Sequence, residues 1–186
     1  MLLNDNALKI LAEFSPDYSK RIYGGEVAKK LKMNQKTVSN ILNALEAKNI
    51  LKYTTEGKNK YYFLNKLNSQ ISDILKIVEL GRKNLFLEKY AKLNGLFLEL
   101  EKQTKGMLII FGSYANLTSN ANSDLDVFTF GTIKEFEDLE DKYNIKINII
   151  RSTREKFNKS DIFIKEVLKN HIILKGIEEF IELTWQ

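Results

Sequence analysis

The chain has no cysteine and only one proline, one histidine and one tryptophan in 186 residues. The lack of cysteine excludes disulfides and thiolate metal centres. A single histidine, His171, rules out a zinc site built on several imidazoles and argues against Ser-His catalysis. It is expected to be a satisfied structural residue. No apolar run reaches the roughly eighteen residues of a membrane-crossing helix, and the N-terminus has no signal-peptide pattern. A soluble cytoplasmic protein without membrane contact is therefore expected.

Apolar residues make up 44% of the chain, enough for ordinary cores in one large or two small domains. Charge is unevenly spread. Lys and Arg outnumber Asp and Glu by twelve to six over residues 1–70 and by seven to five over 71–105, then fall behind by ten to thirteen over 106–186. A basic N-terminal third suits a polyanion.

Along the chain, Ala7–Phe14 reads as a short amphipathic helix closed by the turn-prone Ser15-Pro16-Asp17-Tyr18-Ser19. An extended piece, Ile22–Gly25, precedes a second helix, Gly25–Leu31. A tight link leads to a third helix with Asn34 as N-cap, running to about Lys48 with Val38, Ile41, Leu42 and Leu45 at helical spacing. Two alternating segments, Ile50–Thr54 and Lys60–Leu64, follow as a hairpin. Residues 69–105 read as a long helical connector broken near Gly81 and Gly95, apolar over more than a narrow stripe. It either builds a dimer interface or packs under both domains.

The most informative stretch is 111–126, Phe-Gly-Ser-Tyr-Ala-Asn-Leu-Thr-Ser-Asn-Ala-Asn-Ser-Asp-Leu-Asp. The apolar run Met107–Phe111 stops at Gly112-Ser113. Ten residues later come Asp124 and Asp126, then Val127-Phe128. Strand alternation points residues i and i+2 to one face, so both carboxylates can grip one hard cation. A Gly-Ser turn after a buried strand offers backbone N–H groups and a hydroxyl to phosphate. Together they suggest a metal–nucleotide site. Further on, Ile133–Tyr143 reads as a helix with an acidic, solvated face. Ile145–Ile150 reads as a strand, Ser152-Thr153-Arg154-Glu155 as a capping box opening a helix, and Asp161–Asn170 as a further helix.

Gly-Ser-x10-Asp-x-Asp resembles the DNA polymerase β-like nucleotidyltransferase superfamily, especially its minimal branch, over roughly residues 95–183. The resemblance implies Mg²⁺-dependent transfer of a nucleoside monophosphate to a hydroxyl, in the first instance AMP from ATP, otherwise the monophosphate of another nucleoside triphosphate. It assigns Gly112 and Ser113 to the β- and γ-phosphates, and Asp124 and Asp126 to the metal and catalysis. A HEPN-domain partner protein is also implied. Two positions depart from the pattern. The third carboxylate of the family falls on Asn148, and Asn116-Leu117 replaces the usual Arg-Gly or Lys-Gly.

Residues 7–66 are similar to the winged helix-turn-helix domains of MarR- and ArsR-type regulators, most clearly over Gly25–Glu46. This resemblance implies binding of double-stranded DNA, with Gln35, Lys36, Thr37, Ser39, Asn40 and Asn43 facing the major groove and Lys58 and Lys60 on the wing. The expected fold is α+β: a winged helix-turn-helix domain (1–68), connecting helices (69–105) and an α/β nucleotidyltransferase-like domain with a small mixed sheet (106–186). The alternative to an enzyme is a non-catalytic transcriptional regulator whose second domain senses nucleotide or docks a protein. A homodimer would suit the winged helix and the apolar connecting helix.

Overall fold

The computed structural model describes residues 3–133 and 136–185 and divides into two compact units, the first ending at Val78 and the second spanning Glu79–Thr184. Both mix helices with small sheets. Among the described residues no helix is long and apolar enough to cross a membrane.

In the first unit, Asn4 caps α1 (Asp5–Leu11) by accepting the Ala7 N–H at 2.9 Å. The chain then tightens into a 3-10 turn, Ala12–Phe14, instead of continuing as α-helix. Pro16 has no N–H for the Ala12 carbonyl, which receives the Ser15 N–H at 3.1 Å. A short strand β1 (Ile22–Tyr23) leads into α2 (Gly24–Lys30) and then α3 (Gln35–Ala47). The Asn34 side chain caps α3, taking the Lys36 and Thr37 N–H groups at 2.9 and 3.3 Å. Val38, Leu42 and Leu45 form the buried stripe of α3, which packs on both α1 and α2. Strands β2 (Leu51–Glu56) and β3 (Asn59–Leu64) form a hairpin closed at Gly57-Lys58, where Gly57 adopts φ +61°. Pairing of β1 with β3 completes a sheet of order β1-β3-β2. Tyr62 is buried and donates its hydroxyl to Asn43 Oδ1 at 2.8 Å, tying hairpin to helix.

Helix α4 (Ile71–Lys89) runs unbroken through Gly81, where a break is expected from sequence. A Cβ at Gly81 would meet nothing within 4 Å, so this glycine lies on an open side. Its intrinsic cost is about 1 kcal/mol. Burial of Ile71, Ile74, Leu75, Val78 and Phe86 along the same helix outweighs it, at about 1.5–3 kcal/mol for each large side chain. The break falls instead at a 3-10 turn, Ala91–Leu93, ahead of α5 (Asn94–Gln103).

The second unit is built on β5 (Leu108–Phe111), β6 (Leu125–Thr129), β8 (Ile147–Arg151) and β9 (His171–Lys175), in the order β8-β6-β5-β9. Only the β6–β8 pair is parallel. Leu108, Ile110, Leu125, Val127, Ile172 and Leu174 share a core with Phe86, Leu96, Phe97 and Leu100. A small ribbon pairs β4 (Thr104–Lys105) with β7 (Thr132–Ile133), so Ile133 ends a strand instead of opening a helix. Helix α6 (Gly112–Ala115) follows β5, and α7 (Phe136–Tyr143) precedes β8; Glu135 lies outside the described residues. The Ser152–Glu155 box opens only a 3-10 turn, Arg154–Lys156, in which Thr153 makes no side-chain cap bond. The next α-helix is α8 (Ile162–Lys169), capped by Asp161 through the Phe163 and Ile164 N–H groups at 2.8 and 3.1 Å. Helix α9 (Ile177–Thr184) ends the unit.

Candidate functional site

Strand β5 is buried along its whole length because Leu-Ile-Ile-Phe offers apolar side chains to both faces of a central strand. It stops at Gly112, whose φ of +68° lies in the left-handed region. Directly across from Phe111 on β6 is Asp126, and across from Asp126 on β8 is Asn148. Phe111, Asp126 and Asn148 therefore lie in a line over three adjacent strands, with Gly112 following Phe111 at the strand end. Asp124 immediately precedes β6. Alternation turns both aspartates to the face opposite Leu125 and Val127, which are completely buried.

Gly112 is favoured here by its conformation, and its lack of a side chain also makes room for Asp126. A Cβ on it would stand 2.5 Å from Asp126 Oδ2. The missing Cβ thus leaves open the space over that carboxylate. Two hard carboxylate oxygen donors on one face, with a cleared approach, fit one divalent cation of the Mg²⁺ type. Among the described residues no group of three or more His, Asp or Glu side chains is arranged to hold a metal ion, so the donor set stops at two carboxylates.

Asn148 completes the cluster. Its Nδ2 donates to Asp124 Oδ2 at 3.3 Å and to Asp126 Oδ1 at 3.1 Å. The Lys146 ammonium lies 3.6 Å from Asp124 Oδ2. Sequence reasoning missed Lys146, although it stands two residues before Asn148, a spacing that puts both on one face.

Ser113 is half-buried in α6, which has only four residues. Its carbonyl accepts the Thr118 N–H at 3.0 Å, which curls the following loop back toward the turn. That loop is pinned by a 2.7 Å hydrogen bond between the Tyr90 hydroxyl and Ser119 Oγ. Tyr90 packs on Tyr114 with ring centroids 5.1 Å apart. Burial, then Tyr90 and the Asp124 charge, push the Tyr114 phenol above its ordinary value.

His171 takes no part in this cluster. It is fully buried, its Nδ1–H donates to the Leu168 carbonyl at 2.7 Å, and its Nε2 accepts from Arg82 Nη1 at 3.1 Å. Arg82 also bonds the buried Glu79 at 2.6 Å and the His171 carbonyl at 2.6 Å. This network anchors the start of β9, as expected for a structural histidine.

In the first unit, Gln35, Lys36, Thr37, Ser39, Asn40 and Asn43 are all exposed on α3. Asn43 is the one tied to the hairpin, through Tyr62. Lys58 is exposed at the hairpin turn, and Lys60 lies over the Tyr53 ring at 4.1 Å.

No protein-family profile matches the sequence, and no curated protein matches it. A solved structure described as a toxin-antitoxin with AMP-PNP is similar over 49% of this chain and 78% of its own length, at 18% identity and a TM-score of 0.38. A likeness of that size carries no inference about fold or ligand.

Proposed function

We propose that the second unit binds a nucleoside triphosphate together with Mg²⁺ at Gly112, Ser113, Asp124 and Asp126, and that the first unit is a winged helix-turn-helix domain that binds double-stranded DNA. The observation that carries the first part is the apposition of Asp126 to a left-handed glycine, with Asp124 on the same face. Asp124 and Asp126 would hold the ion, which when bound supplies positive charge against phosphate oxygens. Ser113 offers a hydroxyl donor to phosphate.

Binding is better supported than transfer. Where a third carboxylate would take the proton of an attacking hydroxyl, an amide faces both aspartates, and an amide is no base. Transfer of AMP from ATP to a hydroxyl is the second reading, favoured by Asp124, whose side chain is 41% exposed and so open to substrate. For the first unit, support comes from the polar, exposed face of α3 and the basic excess over residues 1–70. A homodimer and a HEPN-domain protein are the partners that go with these readings.

Calorimetry of ATP binding with and without Mg²⁺, on the wild type and on Asp124→Asn/Asp126→Asn, tests the site without knowledge of any acceptor. Mg²⁺-dependent binding that the double substitution abolishes is expected. No binding of any nucleoside triphosphate would refute it. Incorporation of label from α-labelled ATP into protein or small molecules would promote the transfer reading. DNA binding is tested by fluorescence anisotropy on fragments from around the gene; no retention at low salt would sink it.

A further inference from the structure

The two aspartates already have company. The Asn148 amide reaches an oxygen of each, and the Lys146 ammonium stands 3.6 Å from the Asp124 oxygen that Asn148 also meets. Two divalent ions in one site bring four positive charges within about 4 Å of each other. Two carboxylates cancel two of these, and an amide cancels none. A lysine beside the same carboxylate is instead a positive charge that the protein already carries.

We infer that Lys146 takes the place of a second divalent ion and that Asn148 enforces this, so that the site holds a single ion together with a nucleoside triphosphate. The inference rests on the metal–nucleotide reading above. Asn148, being neutral, leaves Asp124 and Asp126 as shared ligands for one ion, and by donating to both it fixes the set of their carboxylates. Without nucleotide, Lys146 competes with the ion for Asp124. With nucleotide, its ammonium turns to a phosphate oxygen and the competition ends. Ion and nucleotide therefore strengthen each other's binding, and the coupling runs through one side chain. The Lys146 and Asp124 side chains are 69% and 41% exposed, so the competing pair is weak and easily released.

The test counts Mn²⁺ by electron paramagnetic resonance on the full chain, with and without a non-hydrolysable ATP analogue. Wild type, Asn148→Asp, Asn148→Ala and Lys146→Ala are compared, with circular dichroism checking the fold of each. One Mn²⁺ per chain is expected for the wild type and Asn148→Ala at saturating analogue, and two for Asn148→Asp. Lys146→Ala is expected to bind Mn²⁺ alone about threefold more tightly, the size of an exposed ion pair. The same variant should bind the analogue about tenfold more weakly, the loss of one charged hydrogen bond. Opposite shifts of this kind do not follow from a merely structural role. Two ions in the wild type, one ion in a folded Asn148→Asp, or parallel shifts in Lys146→Ala would each overturn the inference while leaving the metal–nucleotide reading in place. If neither the wild type nor Asn148→Asp binds Mn²⁺ with the analogue, that reading fails and this inference fails with it.

Discussion

Replacing Gly112 by alanine separates two effects that meet at one residue. The first is conformational: a side chain at φ +68° costs about 1–2 kcal/mol relative to glycine. The second is a collision. The new Cβ would lie 2.5 Å from Asp126 Oδ2, against about 3.3 Å for a close carbon–oxygen contact, so the carboxylate must retreat by roughly 0.8 Å. Metal–ligand distances tolerate only about 0.2 Å. A retreat of that size removes Asp126 as a useful ligand and loosens its bond to Asn148. Gly57→Ala is the control, because Gly57 has φ +61° with nothing within 4 Å of a Cβ. Both variants should lose about 1–2 kcal/mol in urea unfolding followed by circular dichroism. Only Gly112→Ala should also lose Mg²⁺-dependent nucleotide affinity, by tenfold or more, which corresponds to about 1.4 kcal/mol. A folded Gly112→Ala that binds Mg²⁺-nucleotide like the wild type would refute the role given to Asp126. A Gly57→Ala with equally weakened binding would show that the loss is general and not local.

Arg82→Leu should destabilise the second unit by about 3–5 kcal/mol in urea unfolding, because it uncovers the buried Glu79 beside His171; a loss below 1 kcal/mol would contradict the network described. Lys58→Ala and Lys60→Ala should each reduce the slope of log affinity against log salt by about one in DNA titrations, with little effect on sequence preference. An unchanged slope would remove the hairpin from the interface. Burial, then Tyr53 and Glu46, raise the Tyr62 phenol above its ordinary value near 10, and burial, then Tyr90 and Asp124, raise Tyr114. A raised folded-state value contributes stability that is complete below pH 10 and is lost as pH climbs through the raised value. Stability should therefore decline above pH 10, and Tyr62→Phe/Tyr114→Phe should flatten that decline; an identical alkaline profile for the double variant would refute it.

Features governed by local chemistry were the ones open to reading in advance. Asn34 announces the start of α3 because its side-chain oxygen accepts two backbone N–H groups of the first turn. Asp-Leu-Asp-Val shows by alternation alone which side chains enter the core and which stay at the surface. Features decided by packing were not legible. Gly81 looks like a helix breaker, yet the buried residues around it keep α4 helical from Ile71 to Lys89. Ser152-Thr153-Arg154-Glu155 has the composition of a capping box, but no run of inward apolar residues follows to sustain a helix. Lys146 comes beside Asp124 only through the parallel pairing of β6 with β8, a long-range contact that no short stretch reveals.

The alternation of β6 also bears on how such a site changes over generations. Leu125 and Val127 are buried in the core, while Asp124 and Asp126, the residues proposed to hold the ion, lie on the opposite face. Selection can act on one pair without touching the other. An exchange of aspartate for asparagine needs a single base change and alters little packing volume, so the charge of the proposed centre can change while the scaffold persists.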